Sequence, residues 1–174
     1  MLQVQEIAQS LADGFEGEIL VRQGQAEEGV ERLEHAIRSL MAGPFCIYLT
    51  AFEGVLAEGL LARGQISDAL ETVDGAIGRC RASGEAWCLA ELMRIRAMAL
   101  AGASRLTEAV AALTDGFEIA RAQGALAWEL RLASTLAEIE DSVGARGILR
   151  GVLDRVTEGF GTSDYLRAAA MLGR

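Results

Sequence analysis

A forty-residue internal period constrains the possible folds of this chain more than any other feature. Shifted against itself by forty, the sequence aligns Gly17, Ala57 and Ala97 in one column, Gly29, Ala69 and Ala109 in a second, and Ala36, Ala76 and Gly116 in a third. Every member is Gly or Ala. The large apolar residues keep the same period, as Leu20, Leu60 and Leu100, as Leu33, Val73 and Leu113, and as Ile37, Ile77 and Phe117. Gly24 and Gly64 align as turn residues, with Gly102 close to the third turn. Repetition on this scale marks an array whose copies cannot bury their apolar faces alone and must stack.

Within a copy, a Gly-containing break separates the first two small columns. This is the layout of a helix-turn-helix hairpin, with small residues where the helices cross and large ones around them. Leu33, Ala36, Ile37 and Leu40 fall on one helical face, as do Leu56, Ala57, Leu60 and Leu61. The spacing predicts first helices near 3–23, 47–63, 86–101 and 125–140, and second helices near 26–42, 66–83, 105–123 and 143–159. Gly43-Pro44 should stop a helix, and Gly84 and Gly124 should take left-handed positions at helix ends. The fourth copy keeps Ala137 on the period and then slips, so that Ala145, Leu149 and Val152 fit only with a tighter turn near Asp141 to Gly144. Thr162-Ser163-Asp164 offers N-cap oxygens to a last, capping helix.

In the second copy, Leu56, Ala57, Leu60, Gly64, Ala69, Val73 and Ala76 resemble the tetratricopeptide (TPR) motif in order and spacing. Two departures stand out. The period exceeds that of the usual motif, and Glu53 occupies the place of a bulky aromatic. The resemblance implies an all-α, right-handed superhelical array of about four TPR-like units. As one domain over 1–174, these would span roughly 3–43, 46–84, 86–124 and 125–160, with a capping helix at 163–173.

From Gly84 onward the chain resembles a narrower branch of these repeats. The match is carried by Glu118-Ile119-Ala120-Arg121-Ala122-Gln123-Gly124-Ala125, by Trp128-Glu129-Leu130-Arg131, and by Thr157-Glu158-Gly159-Phe160-Gly161-Thr162. Similar regions follow the ATPase module of bacterial adenylate or guanylate cyclases and of ATPase-type transcriptional regulators. This implies a regulatory arm or a relative of one, with none of the family's catalytic residues carried over.

No catalytic, cofactor or metal site can be written from the sequence. A phosphate-binding loop of the G-x-x-x-x-G-K-[ST] order is absent. The single histidine, His35, has no local nucleophile motif, and Cys46, Cys80 and Cys88 lack zinc-ligand spacing and are expected to be reduced. Glu27, Glu28 and Glu108 sit where second helices begin, which suits the helix dipole. A net charge of -9 opposes direct binding of nucleic acid. No apolar run approaches the about 18 residues of a membrane span, so the expected location is the cytoplasm.

The expected partner is therefore a protein, a peptide or a neighbouring domain, bound along the inner wall formed by first helices. The family's inner-face spacing selects Glu18, Arg22, Glu58, Glu91, Arg94, Met98, Arg131 and Glu138 as a polar groove, with Arg94 and Arg131 suited to carboxylates and Met98 to an apolar contact. Trp87 and Trp128 either seal seams between copies or anchor a ligand at the groove edge. Homodimerisation and small-molecule sensing are the alternative roles.

Overall fold

The computed structural model describes residues 2–43 and 48–174, with side chains from residue 5 onward. The expected helix stop at Pro44 and the side chain of Cys46 lie outside the described residues. Among the described residues the fold is all-helical. The N-terminal unit, Met1–Cys88, contains α1 (Leu2–Arg22), α2 (Ala26–Ala42), α3 (Leu49–Ala62) and α4 (Ile66–Ser83). The C-terminal unit, Leu89–Arg174, contains α5 (Leu89–Gly102), α6 (Leu106–Ala122), α7 (Leu126–Glu140), α8 (Val143–Leu153) and α9 (Ser163–Met171).

The period is visible in the hydrogen bonds of the hairpin turns. Gln25, Gln65 and Arg105 each donate their backbone N–H to the carbonyl five residues back, on Leu20, Leu60 and Leu100, at 2.9, 2.9 and 2.8 Å. Gly24, Gly64 and Ser104 close the inner bond to Val21, Leu61 and Ala101. This paired pattern satisfies the last helical carbonyls and requires one left-handed residue. Glycine fills that place at φ 80° and 75° in the first two turns, but Ser104 fills it at φ 61° in the third, so Gly102 is helical and is not the turn residue. Gly84 and Gly124 take positive φ as expected.

The fourth hairpin is tighter, with Asp141 and Ser142 alone between α7 and α8. Ser142 caps α8 by accepting the Ala145 N–H at 3.1 Å. α8 stops at Leu153, earlier than its apolar spacing predicts, because Arg155 and Val156 fold back onto the carbonyls of Val152 and Leu153. Thr162 then caps α9 through the Tyr165 N–H.

The small columns are the helix crossings. Ala57, Ala97, Ala69, Ala109, Ala36 and Ala76 are fully buried, and Leu33, Val73 and Leu113 fill the space around them. Burying such a Leu or Val contributes about 1.5–3 kcal/mol. In the N-terminal unit α3 packs on α1, α2 and α4; in the C-terminal unit α7 packs on α5, α6, α8 and α9. Within each unit a first helix thus touches the next first helix as well as its own partner, α1 with α3 and α5 with α7, the packing rule of a stacked array.

Candidate functional site

Within each unit the first helices lie side by side, α1 with α3 and α5 with α7, and the predicted groove residues lie on these helices. In the C-terminal unit they form one polar network. Arg94, on α5, is buried and grips Glu91 with two hydrogen bonds, Nε to Oε2 at 2.9 Å and Nη2 to Oε1 at 2.8 Å. Its Nη1 also donates to Met98 Sδ at 2.8 Å. Arg131, on α7, reaches Glu91 Oε1 at 2.6 Å, and its Nε lies 3.7 Å from Asp164 on α9. The Arg131 guanidinium also covers the Trp128 ring at 5.5 Å. Glu138 lies about two helix turns beyond Arg131 on α7 and pairs with Arg167 of α9. Asp164 and Arg167 therefore tie the capping helix to α7.

Glu91, Arg94, Met98 and Arg131 are thus brought together, with Arg131 still one-fifth exposed and Glu91 less so. Glu138 stands apart from that cluster on an exposed stretch. In the N-terminal unit Glu18 and Arg22 form their own pair at 2.6 Å on α1, and Glu58 lies half-buried on α3.

Two buried carboxylates escaped the groove prediction, and both anchor arginines 26 residues further along the chain. Glu53 is held by Arg79 of α4 through Nε, at 3.0 Å, and Nη2. Phe52, its neighbour, supplies the buried aromatic that the motif expects three residues before Leu56. Burial pushes the Glu53 carboxyl above the usual carboxylate range, and the Arg79 pairing offsets only part of that rise. Glu129 takes two hydrogen bonds from Arg155, at 2.7 and 3.0 Å, with Arg121 at 3.6 Å. Arg121, Trp128, Glu129 and Arg131 all belong to the stretches that carry the narrower resemblance, and these contacts give them a structural role.

The tryptophans behave differently from each other. Trp128 is half-buried against Arg131. Trp87 lies in the turn before α5, nearly half exposed, with its indole N–H donated to Glu85 at 2.6 Å. Its ring meets Tyr48 edge-on at 5.8 Å, and Tyr48 in turn meets Phe15 edge-on at 5.3 Å. All three rings are about two-fifths exposed or more, and Phe15 and Tyr48 rest on the buried Phe52. Ile19, one turn along α1 from Phe15, extends the same apolar strip. Neither Phe15 nor Tyr48 was singled out by the sequence. The available signal was that Tyr48 and Trp128 fall in one column of the period, two repeats apart.

Serine, histidine and aspartate side chains share one cavity, but not in a catalytic arrangement. This space, of about 430 Å³, is lined by Ser10, Asp13 and His35 among others. Ser10 donates its hydroxyl to the Glu6 carbonyl, and the exposed His35 lies 3.9 Å from Asp13. Cys80 and Cys88 are buried with raised pKa values; burial pushes Cys88 up to about 12, so both are poor nucleophiles near neutrality. Among the described residues no group of acids, cysteines and histidine could hold a metal ion, and no helix is long and apolar enough to cross a membrane.

Comparison with solved structures assigns the fold class. A kinesin light chain-like protein of Podosopora anserina, built of nearly identical TPR-like repeats, superimposes with a TM-score of 0.67 over 95% of this chain and 84% of its own, at 18% identity. A point variant of that protein gives 0.66 at 19% identity, with the same coverage. The chain is therefore an all-α, TPR-like repeat array. An uncharacterized protein of Rhizobium meliloti (strain 1021) is 43% identical over 82 residues, which is 47% of this chain and only 8% of that relative's length. No family model matches the chain.

Proposed function

We propose that this chain is a non-catalytic binding module that docks a protein or peptide segment on the first-helix face of α5 and α7, as a sensory or regulatory part of a bacterial signalling protein or transcriptional regulator. The observation that carries this reading is the network of Glu91, Arg94, Met98 and Arg131. Its side chains are fixed by bidentate and cross-helix bonds, yet the Arg131 side chain stays one-fifth exposed. A pre-positioned arginine loses little side-chain entropy when it takes a partner's carboxylate. The coverage of only 8% of a bacterial relative supports a place inside much larger proteins. The ATPase-regulator context rests on the residues from Glu118 to Thr162 that resemble that branch.

The test pairs this chain with the domains encoded beside it in its own and adjacent reading frames, and measures affinity by calorimetry. Arg131→Ala should weaken binding about tenfold or more, as expected for a central arginine, while helix content is retained. Unchanged affinity in Arg131→Ala and Glu138→Ala alike would overturn the site, and a turnover abolished by one side-chain change would overturn the non-catalytic reading.

A second reading, small-molecule sensing, is favoured by one cavity. A space of about 310 Å³ lies between α7 and α9, lined by Leu126, Leu130, Val156, Thr157, Gly159 and Tyr165. It coincides with the Thr157 to Thr162 stretch, and its size is at the lower end for ligand sites. Native mass spectrometry of the purified chain decides this reading, with a retained small molecule as its signature.

A further inference from the structure

We infer that the aromatic strip of the N-terminal unit is a docking surface for a basic, arginine- or lysine-bearing peptide segment with an apolar anchor, distinct from the polar network on α5 and α7. This rests on the protein-binding reading and adds a second contact and the chemistry of what it takes.

Phe15, Tyr48 and Trp87 form a run of edge-to-face rings, and Ile19 continues it along α1. Their accessible faces form a contiguous apolar patch, where single exposed residues would need no explanation. Tyr48 is held there by a left-handed backbone, at φ 60°, which a bulky residue adopts only at some cost. Such strain persists where the surroundings fix it, and here the ring is fixed between Phe15, Phe52 and Trp87.

The charge around these rings selects the occupant. Residues 1–88 carry fourteen carboxylates against six arginines, a formal charge of -8, whereas residues 89–174 carry eleven against ten. Nearly all of the net charge of -9 therefore belongs to the unit that bears the strip. Glu85 lies at its edge, and one of its oxygens accepts from Trp87 Nε1 at 2.6 Å and from Thr50 Oγ1 at 2.9 Å. Neither donor is charged, so the carboxylate keeps its attraction for a cation. Glu16 and Glu18 flank Phe15 and Ile19, with Arg32 and Arg22 beside them. A partner guanidinium stacked on Tyr48 or Trp87 would gain both a ring face and the Glu85 charge, and an apolar side chain beside it would cover Phe15 and Ile19. An anionic membrane or a nucleic acid carries the wrong sign for this face.

The experiment uses the full chain and two designed fluorescein-labelled helical peptides of equal length. Both carry Leu at i, i+3, i+4 and i+7; one has Arg at its polar positions and the other has Glu. Fluorescence anisotropy should show saturable binding of the Arg peptide and at least tenfold weaker binding of the Glu peptide. Trp87→Ala should weaken the Arg peptide about tenfold and Glu85→Gln roughly threefold at low salt, with helix content unchanged. Trp128→Phe, which leaves Trp87 as the sole indole, should shift the remaining emission to the blue when peptide binds. Equal binding of both peptides, loss of neither affinity in the two variants, or tighter association with phosphatidylserine vesicles than with the Arg peptide would overturn the proposal. The protein-binding reading is judged separately: a natural partner lost by Arg131→Ala but retained by Trp87→Ala leaves that reading standing while removing this one.

Discussion

At the scale of single residues, the polar chemistry of this chain is arginine chemistry. All sixteen cations are arginine and none is lysine. The reason is visible at Glu53, Glu91 and Glu129, where a planar guanidinium meets a largely buried carboxylate with two donors at once, which an ammonium cannot do. Glu53 also carries a pH signature. Its carboxyl titrates above the ordinary range because it is buried, and nearby Glu85 adds to that push. In the window above the ordinary carboxylate value, the folded chain holds a proton that the unfolded chain has released. The stabilisation is therefore complete below that window and is lost as pH rises through it. Glu53→Gln cannot ionise, so its stability should fall less than that of the parent between about pH 5 and about pH 8. Urea midpoints at the two pH values check this, and a parallel fall in both proteins would show that Arg79 cancels the burial cost.

At the scale of helices, the α1–α2 crossing is tightly constrained, and there the small columns contain glycine in place of the alanine used by the next two copies. A Cβ on Gly29 would lie 2.7 Å from Val21 Cγ2 and 2.9 Å from the Val21 nitrogen; one on Gly17 would lie 2.8 Å from Leu33 Cγ. Gly29→Ala should therefore destabilise by about 1–3 kcal/mol through overpacking, although alanine is the better helix former. Gly78, exposed on α4 with open space where a Cβ would stand, should respond with the opposite sign, gaining about 0.5–1 kcal/mol as alanine. Thermal melts of the two variants decide it, and a stabilised Gly29→Ala would show that this crossing has slack. These columns were legible in the sequence because backbone approach leaves only glycine or alanine. The end of α8 was not, since Leu149, Val152 and Val156 continue a helical spacing past the point where Arg155 turns back to Glu129. The start of α5 was misplaced for a related reason, because side-chain bonds hold the residues before Leu89: Glu85 to Thr50, and Trp87 to Glu85 and Tyr48.

At the scale of the whole chain, the sequence placed the expected groove residues on the first helices but did not show which of them would meet one another. Spacing along one helix placed Glu91, Arg94 and Met98 on one face, but only tertiary packing shows that Arg131 closes on Glu91 and that α9 takes Asp164 and Arg167 to the same side. The aromatic strip was less legible still, since Phe15, Tyr48 and Trp87 come from three separate stretches of the chain. Charge, by contrast, is fully legible, and it makes a prediction of its own. Fourteen carboxylates and six arginines within residues 1–88 leave an excess that local ion pairs cannot neutralise. Several of those pairs are also solvent-exposed, as for Arg22 with Glu18 and Arg38 with Glu34, and such pairs contribute little in water. Self-repulsion should then outweigh pair attraction in the folded state. Sodium chloride shortens the screening distance from about 30 Å at about 10 mM to about 8 Å at about 150 mM. The melting temperature should accordingly rise by about 2–4 °C over that range, the shift that about 1 kcal/mol produces in a chain of this size. Circular dichroism melts in chloride, which avoids the added burial effect of sulfate, read this directly. A melting temperature that falls with salt would mean that the arginine pairs, and not the surplus of carboxylates, dominate the electrostatic free energy of this fold.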